Sequence, residues 1–426
     1  MPSSFQITCL AEPMVQLPAL ETSPGLKGKK ILSIRNSSTE AIIELIQSII
    51  TSNPKVDEPF FVMDLGVIVE LFKNWNHSLK NVRPYYAVKC NPDPAFLGTM
   101  AALGAGFDCA SRGEIEAVLA LGVTADRIIY ANPCKPESHI KLAAEVGVNL
   151  TTFDSVHELP KIKKHHPKCS LLLRLKAPDD SGARRRLGTK YGALPEEVEP
   201  LLLAAKEAEL TVIGVSFHVG SGATNSDTYR TAIASARAVF DVADKVGGAR
   251  MRMLDIGGGF SVGTQFEETT NVIKMAIETY FSDIPELEVI AEPGRVFAET
   301  ASTLATNIVG KRVRGKVREY WVNDGIHGSF SCIKNDTATV TMIPLACYSS
   351  SNNVMCVGKV RYSSTIFGPT CDSMDTIRKE EMLPELEVGD WLVSPNMGAY
   401  TKSMGSDFNG FLTSGICVYL GYSDGY

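Results

Sequence analysis

No apolar run in the chain reaches the length of a bilayer-spanning helix, so a helical membrane anchor is not expected. There is no surplus of positive charge: 42 Lys and Arg stand against 48 Asp and Glu, a net charge of −6, which argues against a nucleic-acid partner. The ten cysteines are scattered, and none forms a Cys-x-x-Cys pair. Zinc-finger and redox-dithiol readings therefore fall away, no metal-ligand set emerges, and reduced thiols in an intracellular compartment are expected. No internal repeat and no low-complexity tract is present. The first forty residues lack the apolar core of a secretory signal. They hold Glu12 and Glu21 before the first arginine, Arg35, which fits poorly with a transit peptide. A partly disordered tail over 1–40 and a cytoplasmic location are expected, with the plastid as the alternative.

What the chain does have is a rhythm. Ser37 with Glu40 predicts a capped helix over 38–50, and a strand follows at Pro59–Met63, with Asp64 as the cap of the next helix. Apolar, strand-like runs then recur at Tyr85–Cys90, Gly106–Ala110, Ile128–Asn132, Leu150–Phe153, Leu171–Leu175, Val212–Val219, Met253–Ile256 and Val289–Ala291. Helix-like segments separate most of them, a spacing that suits βα units rather than hairpins. Eight such units predict an α/β fold with a closed (β/α)8 barrel over 65–302; a doubly wound open sheet is the alternative. After residue 300 the pattern changes to short alternating runs rich in β-branched and aromatic residues. Examples are Lys316–Val322, Thr339–Ile343, Lys359–Ser364, Trp391–Ser394 and Gly415–Leu420. These predict an antiparallel β domain over 303–426, with 41–64 added to it.

Polar residues sit at the ends of the barrel runs: Lys89, Asp108, Asn132, Asp154, Arg174, His218, the Gly257–Gly259 run and Glu292–Arg295. In a barrel those ends share one face, where active sites form. Lys89 ends an apolar run. It either reaches solvent or a carboxylate, or is an amine of lowered pKa that forms a Schiff base with a carbonyl compound such as pyridoxal phosphate. The glycines after Asp255 let backbone N–H groups approach a phosphate, or else make a tight turn. Arg295 is placed to clamp the same phosphate, and Glu292 to face a ring nitrogen of a cofactor; a structural ion pair is the plainer reading. His218 is either a core histidine or a flat ring stacked on a cofactor, and Ser221 after it is a further phosphate donor. Cys371, beside Asp372, is either structural or a proton donor to a carbanion.

Taken together, Tyr86-Ala-Val-Lys-Cys-Asn91, Gly106-Phe-Asp-Cys-Ala-Ser111, Ala131-Asn-Pro-Cys-Lys135, Ser216-Phe-His-Val-Gly-Ser-Gly222, Leu254-Asp-Ile-Gly-Gly-Gly-Phe260, Ala291-Glu-Pro-Gly-Arg295, Phe367-Gly-Pro-Thr-Cys-Asp372 and Asn396-Met-Gly-Ala-Tyr400 resemble the ornithine decarboxylases, fold-type-III pyridoxal-phosphate enzymes. The match runs in order from about residue 60 to 420, and two further blocks, Lys190–Pro195 and Lys311–Gly315, look like the plant branch. The resemblance implies an alanine-racemase-like fold, a barrel plus a β domain. It implies that Lys89 holds the cofactor aldehyde, Glu292 faces the pyridine nitrogen and His218 stacks on the ring. Ser221, Gly257, Gly258, Gly259, Gly294, Arg295 and Tyr400 would surround the phosphate, with Asp108 and Arg174 also at the cofactor. Asp336 and Asp372 would bind the distal ammonium of a diamino acid, and Cys371 would protonate the α-carbon once carbon dioxide has left. The family is a head-to-tail homodimer in which Cys371 and Asp372 enter the site of the partner.

The chain departs from that family at two positions. His327 stands where the family usually has Tyr or Phe, and Asn335 where Tyr precedes the aspartate. Both changes enlarge the distal end of the pocket. A methylene is worth only ~1–3 kcal/mol of discrimination, so lysine is expected as a substrate beside ornithine, with putrescine and cadaverine as products. Ornithine alone is the alternative. A non-catalytic regulatory relative is the rival from another class, but such relatives lose cofactor or catalytic residues that are present here.

Overall fold

The computed structural model describes residues 17–53, 55–350 and 353–424. Eight parallel strands close on themselves: β1 (Val82–Ala87), β2 (Gly106–Cys109), β3 (Ile128–Tyr130), β4 (Leu150–Phe153), β5 (Ser170–Arg174), β6 (Thr211–Ser216), β7 (Met253–Asp255) and β8 (Glu288–Ala291). The strands are apolar on both faces because helices cover the outer face, while the inner face fills the barrel. Tyr85, Ile129, Leu172, Ile213, Met253 and Ile290 form the apolar floor inside it. Side chains two residues apart share a strand face. One step above the floor the same alternation therefore presents Ala87, Arg174, Asp255 and Glu292, and the lining turns polar at the mouth.

The strands end sooner than their apolar runs. The run ending at Cys90 is a strand only to Ala87, and Val88–Cys90 is a 3₁₀ turn that carries Lys89. Likewise β6 stops at Ser216, which leaves His218 in the following loop. In both places the chain must leave the ladder to aim a polar side chain across the opening.

The β domain is a nine-stranded sheet built around the long strand Ser302–Arg314, which pairs antiparallel with Phe60–Asp64, Val317–Val322 and Trp391–Ser394. Three pairings are parallel: Ile31–Ile34 with Cys417–Ser423, Cys417–Ser423 with Phe60–Asp64, and Val317–Val322 with Arg361–Phe367. Its core is Tyr320, Phe330, Ile366, Leu383 and Leu392 with their neighbours. The expected strand at Thr339–Ile343 is only Ile343–Leu345, and Thr376–Pro384 is a strand that the alternation did not single out.

Two N-terminal expectations change. The helix cap is Ser38, one residue later than Ser37, and its side chain accepts a hydrogen bond from the Ala41 N–H. Of the expected tail, residues 1–16 lie outside the described residues. The rest is structured: Leu17–Glu21 is helical and Ile31–Ile34 pairs with the last strand. Leu20 and Leu26 are fully buried, which holds the segment down at ~1.5–3 kcal/mol each.

Candidate active site

Lys89 and Asp108 form an ion pair at the barrel mouth; Asp108 is fully buried, whereas the lysine side chain reaches open space. Burial opposes the charge on Lys89, but Asp108, Tyr400 and Glu292 outweigh it and hold the amine above its ordinary range. As the chain stands, Lys89 is thus an ammonium, and Asp108 is the acceptor within reach of its proton. Of the two readings the sequence left open for Lys89, the pairing with a carboxylate is what the structure shows, and the lowered pKa of the other is not found, because the neighbouring acids outweigh burial.

Beside Lys89 lies Glu292, just past β8, the strand that pairs with β1. Burial pushes its carboxyl well up, and the neighbouring Asp255 and Asp108 push it further. Asp255 is itself raised to about 7, first by burial, although the Gly257 N–H donates to it at 2.9 Å. Three carboxylate oxygens here, Asp108 Oδ1, Asp255 Oδ2 and Glu292 Oε1, are buried and have no hydrogen-bond partner among the described residues. A buried acceptor left unpaired costs about 1–3 kcal/mol; a proton held between the Asp255 and Glu292 side chains, which are within hydrogen-bond reach of each other, relieves part of that cost.

His218 faces the same space. The Gly220 N–H donates to its Nδ1 at 3.0 Å, which leaves the proton on Nε2. Burial, then Arg174 and Lys89, hold its pKa well below the usual histidine range. The ring is therefore uncharged at neutral pH, as a flat stacking surface should be. Gly258 is packed beside it: a Cβ there would lie 2.7 Å from the Glu292 carbonyl oxygen and 2.9 Å from His218 Nε2. Gly257 has φ +63°, and its Cβ would meet the Phe217 carbonyl oxygen at 2.2 Å. The glycine turn is thus a close approach of backbone to backbone, bonded by the Glu292 N–H to the Gly257 carbonyl at 2.7 Å.

Arg295 opens the short helix that follows Gly294 and is almost wholly buried. Its Nη2 donates to Ser221 Oγ at 3.1 Å and to both oxygens of Asp336, at 3.0 and 2.8 Å; its Nε has no partner. Tyr400, with a left-handed φ of 55°, lays its ring 5.2 Å from the guanidinium, and its N–H bonds the Cys90 carbonyl. The structure thus brings Lys89, Asp108, Arg174, His218, Ser221, Gly257–Gly259, Glu292, Gly294, Arg295 and Tyr400 to one end of the barrel. Asn132 and Asp154 serve neighbouring loops instead, through the Ala110 carbonyl and the Gly192 N–H. Asp255 was not singled out, although it repeats the inward face of Met253. Arg184, Tyr229 and Glu299 were also missed, and no local pattern marks them.

The remaining candidates lie on the sheet domain. Asp336 is buried against Arg295, with Asn335 ending the helix before it. Cys371 and Asp372 sit on an outer loop. The Cys371 N–H bonds Asn409 Oδ1 at 3.0 Å, and Cys371 is exposed. His327 Nε2 pairs with Asp372 Oδ2 at 2.8 Å, and its ring lies 4.5 Å from that of Phe408. The Met374 N–H and His327 hold Asp372 below its ordinary range.

The family model for the pyridoxal binding domain of pyridoxal-dependent decarboxylases matches residues 65–299, more than half of the chain. The chain belongs to the pyridoxal-dependent decarboxylase family. Among its relatives is a chloroplastic ornithine decarboxylase of Nicotiana glauca, 57% identical over 91% of this chain and 89% of that one. Among solved structures it is similar to the arginine decarboxylase of Paramecium bursaria Chlorella virus bound to agmatine (TM-score 0.83, 37% identity, 89% of this chain and 99% of that chain). It is similar also to the lysine/ornithine decarboxylase of Vibrio vulnificus complexed with cadaverine (TM-score 0.79, 32% identity, 91% and 100%). The decarboxylase fits its cofactor. Pyridoxal phosphate brings an aldehyde, a ring nitrogen able to bear a proton and an anionic phosphate. The mouth offers an amine, a buried carboxyl group of raised pKa and a buried arginine with an unpaired Nε beside a glycine turn.

Proposed function

We propose that the enzyme decarboxylates L-ornithine and also L-lysine, giving putrescine and cadaverine. The observation that carries the decarboxylation is the Glu292 carboxyl group: buried, raised well above its ordinary range and one strand over from Lys89. Bound there, pyridoxal phosphate supplies an electron-accepting ring that takes up the charge left by departing carbon dioxide. Lys89 would hold the cofactor through its aldehyde, with Asp108 beside it as the acceptor for the ammonium proton. Glu292 keeps a proton at the ring nitrogen. The neutral His218 would offer a flat surface to the cofactor ring, and Arg174 would lie near its phenolic oxygen. Ser221, Gly257, Gly258, Gly259, Gly294, Arg295 and Tyr400 bind the phosphate.

Asp336 and Asp372 take the distal ammonium, and Cys371 returns a proton to the substrate α-carbon. Cys371 and Asp372 act in the site of a second copy, in a homodimer. Support comes from the exposure of Cys371 and from the apolar Phe408, Phe411 and Leu412, which are solvent-accessible on the cavity that His327, paired with Asp372, also lines. The division into a barrel over 65–302 and a β domain over 41–64 with 303–426 follows from the change of pattern along the chain. Of the two compartments, the plastid draws support from the chloroplastic relatives, and a fluorescent fusion in leaf cells decides between them.

Lysine use rests on His327, whose ring is smaller than Tyr or Phe. The ornithine-only reading has an observation of its own: the His327–Asp372 hydrogen bond already occupies one carboxylate oxygen at the distal end. Equal concentrations of both amino acids, with putrescine and cadaverine measured, decide the matter. His327→Phe is expected to lower kcat/KM for lysine about tenfold relative to ornithine. Negligible cadaverine from the wild type removes the lysine claim.

A further inference from the structure

The main chain of Asp336 is tied locally by one hydrogen bond, from its N–H to the Cys332 carbonyl at 2.9 Å, and its carboxylate is held by residues far away in sequence. It ends a five-residue helix, Ser331–Asn335, its φ is −131°, and the next residue, Thr337, has a left-handed φ of 52°. Arg295 grips both of its oxygens, but Arg295 is also the guanidinium at the glycine turn, so an anion arriving there draws on the same donors. A second arginine holds Asp336 from the other side. The Arg184 Nε donates to the Asp336 main-chain carbonyl at 2.9 Å, and its Nη2 lies 3.5 Å from Asp336 Oδ2. The third nitrogen, Nη1, lies 3.5 Å from Glu299 Oε1, the oxygen that Arg295 Nη1 approaches at 3.3 Å.

Arg184 is delivered by a device separate from the barrel strands. Ala183–Arg185 pairs antiparallel with Ser221–Ala223, in the register Arg185 to Ser221 and Ala183 to Ala223. Gly222, opposite, has φ +62°, and a Cβ there would lie 3.1 Å from the Arg184 Cβ. One short ribbon thus supplies Ser221 to Arg295 and Arg184 to Asp336. Arg184 is about a quarter exposed, along a cavity of about 410 Å³ that Arg295, Glu299 and Thr337 also line.

We propose that Arg184 is a positioning residue that keeps the Asp336 carboxylate aimed at the distal ammonium of the substrate when the cofactor phosphate engages Arg295. The proposal rests on the reading of Asp336 as part of the ammonium site. The fork geometry matters more than the charge, since one nitrogen fixes the main chain while another approaches the carboxylate.

The test uses the holoenzyme. Putrescine inhibition constants, KM and kcat for ornithine, and the cofactor dissociation constant are measured for wild type, Arg184→Gln, Arg184→Lys, Asp336→Asn and the double variant Arg184→Gln/Asp336→Asn. Arg184→Gln is expected to weaken putrescine and raise KM about tenfold, with kcat and cofactor affinity held within about twofold. Arg184→Lys should fall between, and it carries the test if the glutamine variant fails to fold. The double variant should bind putrescine as Asp336→Asn does, because a residue acting through another adds nothing once that other is gone. Additive losses overturn the proposal. So does a loss of cofactor affinity equal to the loss of putrescine affinity, which would place Arg184 at the phosphate corner. If Asp336→Asn binds putrescine tightly and Arg184→Gln does not weaken it, the reading of Asp336 falls. If Asp336→Asn loses putrescine while Arg184→Gln keeps it, only the present inference falls.

Discussion

The two sides of the site are built differently. The barrel side is built within one chain: Asp108, Arg174, Glu292 and Arg295 are buried, and its turn admits no added Cβ. The sheet side holds Cys371 exposed on an outer loop whose hydrogen bonds run to its own neighbours, Asn409 and Met374. A preorganised half can bind a cofactor alone, whereas an exposed thiol has no substrate until another surface is brought to it. The contrast teaches that cofactor binding and turnover should separate under substitution, although they meet in one reaction.

The largest effect comes from the pair of substitutions that removes each side in turn. Lys89→Ala is expected to abolish turnover together with the visible absorbance of the lysine-bound cofactor. Cys371→Ala should keep that absorbance and lower kcat by roughly 10²–10⁴, the range of a lost proton donor. Mixing the two inactive variants under conditions of subunit exchange should restore about a quarter of wild-type activity, since one site in a mixed dimer of shared sites is intact. Failure to recover any activity from a mixture shown to exchange would return Cys371 and Lys89 to the same chain. That outcome would erase the contrast.

A smaller effect tests the barrel side alone. Gly258→Ala pushes a methyl against the Glu292 carbonyl and His218 Nε2. Overpacking of this kind costs ~1–3 kcal/mol, so cofactor affinity should fall by roughly ten- to a hundredfold. Titration of the stripped protein with pyridoxal phosphate reads it directly. Unchanged affinity would mean that the turn does not face the cofactor.

The sequence made some of this visible, for physical reasons. Strand periodicity and glycine chemistry are local, so the eight barrel runs and the Gly257–Gly259 turn could be read along the chain. Lys89 stood out because a lysine at the end of an apolar run is costly. Its charge state could not be read, because it depends on Asp108, nineteen residues away and one strand over. Arg184 is one of three consecutive arginines, and only the ribbon pairing decides which of them turns toward Asp336. Two of the three parallel pairs of the sheet domain join segments from opposite ends of the chain, and no local pattern encodes such partners.

The smallest effect concerns buried acids and returns to the contrast from the other side. Asp255 and Glu292 are raised where a cofactor explains the cost. Asp324, on the loop that carries His327, is raised to about 6 by burial and by the neighbouring Asp375 against the pull of the Ser329 and Gly325 N–H groups, and there no ligand explains it. Its folded value lies above the ordinary carboxylate range. The group therefore contributes stability that is fully present below about pH 4 and is lost as pH rises through 6. Asp324→Asn keeps an oxygen for the Gly325 and Ser329 N–H groups, and it replaces Oδ2, which has no partner. The variant should lie at or slightly below the wild type in thermal midpoint near pH 4, by the cost of its new unpaired amide, and gain steadily relative to it up to about pH 6. Above that it should hold an advantage of order 1–3 kcal/mol, reduced by the new unpaired amide. A difference that stays flat across this window would show that Asp324 is ionised at no cost, and the sheet side would then carry no strain of its own.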